Sequence, residues 1–150
     1  EAEMVVALHK GGRDIKEADA LAHVFGYAVG LDMTRRDRQD EAKAQKRPWE
    51  IAKSADLSAP IGPLHPVSSV GHPHKGTIAL SVNGIIKQNA DLSDMIWTVA
   101  EQISILSTYF ELKPGDLIFS GTPEGVGAVS RGEHMNVSIA GLGHIDLRIV

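Results

Sequence analysis

Cysteine is absent from all 150 residues, which removes disulfides, thiolate metal sites and thiol nucleophiles together. No apolar run approaches the roughly 20 residues that a membrane-spanning helix requires, and no leader pattern opens the chain. Positive charge is in deficit: 15 basic residues face 19 acidic ones, a formal charge of -4, so no overall field draws in a phosphate backbone. Repeats and low-complexity tracts are also missing. The 43% hydrophobic and 23% charged content excludes disordered, collagen-like and coiled-coil classes. The expectation is one soluble, cytoplasmic domain spanning residues 1–150, with neither nucleic acid nor membrane as a partner.

Residues 2–8, Ala2-Glu3-Met4-Val5-Val6-Ala7-Leu8, read as a buried strand stopped by Lys10-Gly11-Gly12. The strand pattern is already under way at residue 1 without an initiator Met, so a segment upstream is expected. Residues 15–24 read as a short helix. Residues 25–33 read as a second strand, with Gly26 and Gly30 marking close backbone packing. The polar stretch 34–47 predicts a helix that Pro48 interrupts. Residues 54–76 hold four of the seven prolines and read as a long ordered connection.

Asn83-Gly84 between the segments 77–82 and 85–88 predicts a hairpin, because both central residues of a type I′ turn need positive φ. Met95, Ile96, Val99, Ile103, Leu106 and Phe110 recur at three- and four-residue steps, which predicts an amphipathic core helix over 93–110. Further strands are expected at 116–119, 134–140 and 144–150. The sum is an α+β, mainly β fold with a mixed sheet.

Strand side chains two apart share a face, so Glu1 and Glu3 present two carboxylates side by side. Only solvent or a cation relieves their repulsion. Asp32 stands where the second strand meets the polar helix, a place that suits either a plain N-cap or a site carboxylate. If that helix starts at Asp32, Arg36 lies about 40° and Gln39 about -20° around the axis from it. The stripe then faces a cleft or is simply a charged surface. An oxygen-rich carboxylate set suits Mg²⁺, Mn²⁺ or Ca²⁺ rather than Zn²⁺.

The glycine-rich segment 120–127 follows a strand, where bare amides and the Thr122 hydroxyl could cradle an anionic oxygen or form an ordinary turn. It is not a Walker loop, because the Lys-Ser/Thr pair is missing. Lys53 is either a solvated lysine or a cation for a carboxylate substrate. His72-Pro73-His74 reads as a solvated loop.

Five blocks, in order, resemble the fumarylacetoacetate hydrolase family. They are Glu1-x-Glu3, then Leu31-Asp32-Met33-Thr34-x-Arg36-Asp37-x-Gln39-Asp40, then Pro48-Trp49-x-x-Ala52-Lys53-Ser54. Val82-Asn83-Gly84 follows, and Pro114-Gly115-Asp116-x-Ile118-x-x-Gly121-Thr122-Pro123-x-Gly125-Val126-Gly127 completes the set. The likeness is greatest to its acylpyruvate hydrolase, fumarylpyruvate hydrolase and oxaloacetate decarboxylase branch.

The resemblance implies a mixed β-roll, a homodimer and Mg²⁺ or Mn²⁺ as cofactor. It implies Glu1, Glu3 and Asp32 as metal carboxylates. Arg36, Gln39 and Lys53 are implied as catalytic residues facing the substrate, and Thr122 as a contact to its carboxylate. The family's His and Glu dyad lies upstream of the first metal carboxylate, ahead of Glu1. Ser120 stands where Thr is common, and Ala55 where an aromatic is frequent. The implied reaction is metal-dependent hydrolysis of a carbon-carbon bond in a 1,3-diketo acid such as fumarylpyruvate. Oxaloacetate decarboxylation, or a catalytically silent carboxylate-binding domain, is the alternative.

Overall fold

β1 (Ala2–Leu8) is buried along its whole length, and its alternation organises the molecule. In the computed structural model, which describes residues 1–150, β1 pairs antiparallel with β2 (Val24–Leu31) on one side. On the other side it pairs with β6 (Leu117–Phe119). β3 (His65–Pro66) adds a short edge beyond β2, giving the order β3-β2-β1-β6. The second sheet contains β4 (Thr77–Val82), β5 (Ile85–Asp91), β7 (His134–Ile139) and β8 (Gly143–Arg148). Its order is β5-β4-β7-β8, and every pairing in both sheets is antiparallel. The α+β, mainly-sheet class is thus the one the sequence implies, but the mixed sheet expected with it is not found, because every neighbouring pair of strands in both sheets runs antiparallel.

Ala2, Met4, Val6 and Leu8 from one face of β1 join Ile78, Leu80, Val82, Val137 and Ile139 of the second sheet in a single hydrophobic cluster. Such burial contributes about 25 cal/mol per Å² of apolar surface removed from water. Glu3, Val5 and Ala7 occupy the opposite face of β1, as the two-residue strand period requires. That face is closed at Val5, whose Cγ2 would lie 2.4 Å from any Cβ placed on Gly30. The proline-rich connection runs along the free edge of β2. Leu31 donates to the Pro60 carbonyl at 3.1 Å and Gly62 to the Val29 carbonyl at 2.8 Å. The connection also contains β3 and a one-turn helix, so the segment 54–76 is more structured than a plain loop. Tyr27, fully buried, bonds through its hydroxyl to Nδ1 of His72 at 2.6 Å. His72 is therefore tied to the core rather than merely solvated.

Short helices decorate this frame: α1 (Glu17–Ala20), α2 (Arg36–Ala44), α3 (Glu50–Lys53), α4 (Val67–Val70) and α5 (Val99–Tyr109). No helix is long and apolar enough to cross a membrane. The helix expected over 93–110 is shorter, because Thr98 and Glu101 form a capping box that starts it at Val99. Residues before that cap fall outside its buried stripe. Ile96 is 93% exposed, and Phe110 past the helix end is 62% exposed, so neither is core. Val99, Ile103 and Ser107 form the buried stripe instead.

The hairpin stands, with Asn83 at φ 51° and Gly84 at φ 79°. Because β-branched residues are strained there, Gly84→Val is expected to cost about 1–2 kcal/mol. Its signature is a lower urea midpoint at unchanged slope.

Candidate active site

The last pair of the β1–β2 ladder is Ala2 with Leu31, and the Asp32 N–H extends it by donating to the Glu1 carbonyl at 2.9 Å. This ladder brings Asp32 beside Glu1, thirty-one residues earlier in the chain. Asp32 is therefore neither a helix N-cap nor part of a stripe with Arg36 and Gln39. α2 begins only at Arg36, and Arg35 takes the cap position without a side-chain bond. The neighbours are assembled by a strand end rather than by helical spacing.

One carboxylate oxygen from each of Glu1, Glu3 and Asp32 lies within 4.8 Å of the other two. Lys53, at the end of α3, reaches across with its ammonium. Its Nζ donates to Glu1 Oε2 and Asp32 Oδ2 at 2.7 Å each, and to Thr34 Oγ1 at 2.8 Å. Arg36 donates through Nη2 to Glu1 Oε1 at 2.9 Å and through Nη1 to Gln39 Oε1 at 2.6 Å. Gln39 is buried, and its carbonyl oxygen also accepts from Lys43. Its amide oxygen is thus engaged with Arg36, which is 47% exposed along its side chain.

Charge in this cluster is unevenly relieved. Burial would raise the Glu1 carboxyl, but bonds from Lys53 and Arg36 outweigh it and hold the group below its ordinary value. Burial would lower the Lys53 ammonium, yet Asp32 and Glu1 hold it above the usual lysine range. Glu3 has no cation in contact. Its Oε2 accepts from the Gly121 N–H at 2.7 Å, but burial, followed by the nearby Asp32 and Glu1 charges, pushes it up to about 7. Three close carboxylates, one of them without a counter-charge, make an all-oxygen donor set that fits a hard dication such as Mg²⁺ or Mn²⁺.

Glu1, Asp32, Thr34 and Arg36 line one wall of a cleft of about 470 Å³. Val126 and Gly127 of the glycine-rich loop, with Ala128 and Val129 just after it, also line this cleft. That size suits a small organic acid. The loop's bare amides act otherwise than expected at Gly121, where the anionic oxygen they cradle belongs to Glu3. Thr122 also differs from its expected role: its hydroxyl accepts from Gln88 Nε2 at 2.9 Å. It lines a separate cavity of about 360 Å³ with Trp97 and Met95 rather than the acidic cleft.

Gln88 itself carries no motif that marks it in the sequence. It is buried by the glycine-rich loop, which lies so close to β5 that a Cβ on Gly125 would sit 2.1 Å from the Lys87 carbonyl oxygen. Gly125 also holds φ 95°. Gly125→Ala is therefore expected to lift the loop from β5, lowering the melting temperature by several degrees for about 2 kcal/mol lost.

A family model described as the fumarylacetoacetate (FAA) hydrolase C-terminal domain matches residues 1–150. A fumarylpyruvate hydrolase from Ralstonia is 43% identical over 149 residues, which are 99% of this chain and 77% of that protein. The human mitochondrial oxaloacetate tautomerase FAHD1 is 39% identical over 149 residues, covering 99% of this chain and 67% of the relative. Among solved structures, a fumarylpyruvate hydrolase from Pseudomonas aeruginosa in complex with Mn²⁺ and pyruvate superposes with a TM-score of 0.98 at 57% identity. It is matched over 100% of this chain and 64% of its own length, so the chain spans just under two thirds of that protein. With the match to the family model running from end to end, the chain belongs to the fumarylacetoacetate hydrolase family.

Proposed function

We infer that this chain carries the metal and substrate site of an enzyme that hydrolyses a carbon-carbon bond in a 1,3-diketo acid of the acylpyruvate class, yielding pyruvate and a carboxylic acid. The observation that carries this reading is the convergence of Glu1, Glu3 and Asp32 within 4.8 Å beside a cleft bearing Arg36 and next to Lys53. Mn²⁺ and pyruvate bound to the Pseudomonas relative support it. Glu1, Glu3 and Asp32 would hold Mg²⁺ or Mn²⁺. Such an ion supplies Lewis-acid polarisation of a carbonyl and stabilises negative charge on a departing enolate.

The chain's own residues supply the rest. Lys53 stays protonated under its two carboxylate partners, so it offers positive charge and a proton rather than acting as a base. Arg36 presents a half-exposed guanidinium at the cleft, suited to a substrate carboxylate. Gln39 orients that guanidinium from beneath through its amide oxygen. Val126 and Gly127 of the glycine-rich loop border the cleft, whereas the Thr122 hydroxyl is held by Gln88. None of these groups accepts a proton readily at neutral pH. The base that activates water is assigned to the His and Glu dyad that family resemblance puts ahead of the first metal carboxylate.

A second reading draws on the 39% identity to the human oxaloacetate tautomerase. An enolate-stabilising site serves tautomerisation or decarboxylation of oxaloacetate without an activated water. The deciding assay supplies the purified full-length protein and Mn²⁺ with fumarylpyruvate or oxaloacetate, each with and without a chelator. Chelator-sensitive release of pyruvate and fumarate is the expected result. Turnover of oxaloacetate alone would overturn the hydrolase reading.

A further inference from the structure

The acidic site is built on the first sheet, yet the side chain that fixes its position relative to the glycine-rich loop comes from the second. Gln88 on β5 is 2% exposed. Its Oε1 accepts from the Ala2 N–H at 3.0 Å, and Ala2 lies between Glu1 and Glu3. Its Nε2 donates to Thr122 Oγ1 at 2.9 Å and to the Pro123 carbonyl at 2.8 Å. Both amide donor hydrogens and an acceptor site are therefore used inside the protein.

These bonds close a ring. From Gln88 the path runs to Ala2, along one peptide to Glu3, across the 2.7 Å bond to the Gly121 N–H, along one peptide to Thr122, and back to Gln88. Within that ring the position of Glu3 relative to the loop has little freedom. A buried leucine or methionine would fill the same space at lower desolvation cost, but it would leave the ring open. We propose that Gln88 is a positioning residue that sets the separation between Glu3 of β1 and the glycine-rich loop, and so presets the site for its dication. This inference rests on the dication reading above.

The test compares Mn²⁺ binding, followed by loss of the free-ion electron paramagnetic resonance signal, in the wild type, Gln88→Met and Ser107→Ala. Ser107 is an equally buried polar residue, bonded to Ile15 and Ser104, and its loss controls for destabilisation alone. The Mn²⁺ dissociation constant is expected to rise 10–100-fold in Gln88→Met, the range seen for groups that orient ligands, and less than twofold in Ser107→Ala. A folded Gln88→Met protein that binds Mn²⁺ as the wild type does would overturn the proposal, as would an equal loss in Ser107→Ala. A wild type that binds no Mn²⁺ overturns the dication reading itself, and the inference with it.

Hydrogen exchange in the wild type gives a second measurement that needs no variant. Mn²⁺ should slow exchange in segments 85–91 and 120–126 together with 1–4. Protection confined to 1–4 and 29–36 would mean that the ring transmits nothing.

Discussion

Glu3→Gln is expected to weaken Mn²⁺ binding by more than about a hundredfold, and Asp32→Asn to do the same, since each removes an anionic ligand rather than a group behind one. Isothermal titration reads this directly. Unchanged affinity in either variant would remove that residue from the ligand set, and unchanged affinity in both would favour a silent carboxylate-binding domain.

The pH dependence has a definite sign. The Glu3 carboxyl rises from an ordinary 4.5 to about 7 in the fold. Between those values the native state keeps a proton that the unfolded chain has lost. Glu3 therefore reduces stability as pH rises through this window, by an amount on the order of 3 kcal/mol above it. Metal binding must displace the same proton, so wild-type Mn²⁺ affinity should climb as pH approaches and passes 7. Glu3→Gln should flatten that climb while making the metal-free protein more stable at pH 8. A variant less stable than the wild type at pH 8 would contradict the assignment of repulsion to Glu3.

Lys53→Met should separate charge supply from metal ligation. The ammonium touches Glu1 and Asp32 but contributes no ligand atom. Its loss should destabilise the metal-free protein by about 2 kcal/mol, a buried-pair penalty reduced by the 28% exposure of the side chain. Mn²⁺ should then bind at least as tightly as in the wild type, because a neighbouring positive charge is gone. Turnover should nevertheless fall by about 10²–10³-fold, as removal of a group facing developing negative charge does. Loss of Mn²⁺ binding in step with activity would instead make Lys53 a support for the carboxylates. Thermal melts with and without Mn²⁺, run beside the pyruvate-release assay, distinguish these results.

Much of this arrangement was legible where local chemistry dictates it. Asn83-Gly84 announced its hairpin, and the apolar run after Glu3 announced β1. The start of α5 was also written in the chain, as Thr98 and Glu101 three residues apart. There the apolar period extending back to Met95 suggested an earlier start than the cap permits.

The site was legible in its residues but not in the reason they meet. Asp32 joins Glu1 through a strand ladder, a long-range pairing invisible to helical angles counted from Asp32. Thr122 and Gln88 mark the limit. A glutamine in a hairpin strand rich in polar residues reads as solvent-facing. Its burial depends on a loop more than thirty residues later lying flat against Lys87. No spacing rule reports that contact, and none reports that the Thr122 hydroxyl is already taken.

The alternation of β1 also ties two fates together. Met4 points into the hydrocarbon interior, while Glu3 points away from it. Slipping the strand by a single residue, as a deletion between Met4 and Leu8 would force, exchanges the two. An anion would then be thrust among aliphatic side chains and a thioether into the acidic pocket. A lineage carrying this strand cannot lose its chemistry through such an indel and keep a sound fold. Length changes should therefore be purged from β1 far more strictly than from the exposed turn at residues 130–132.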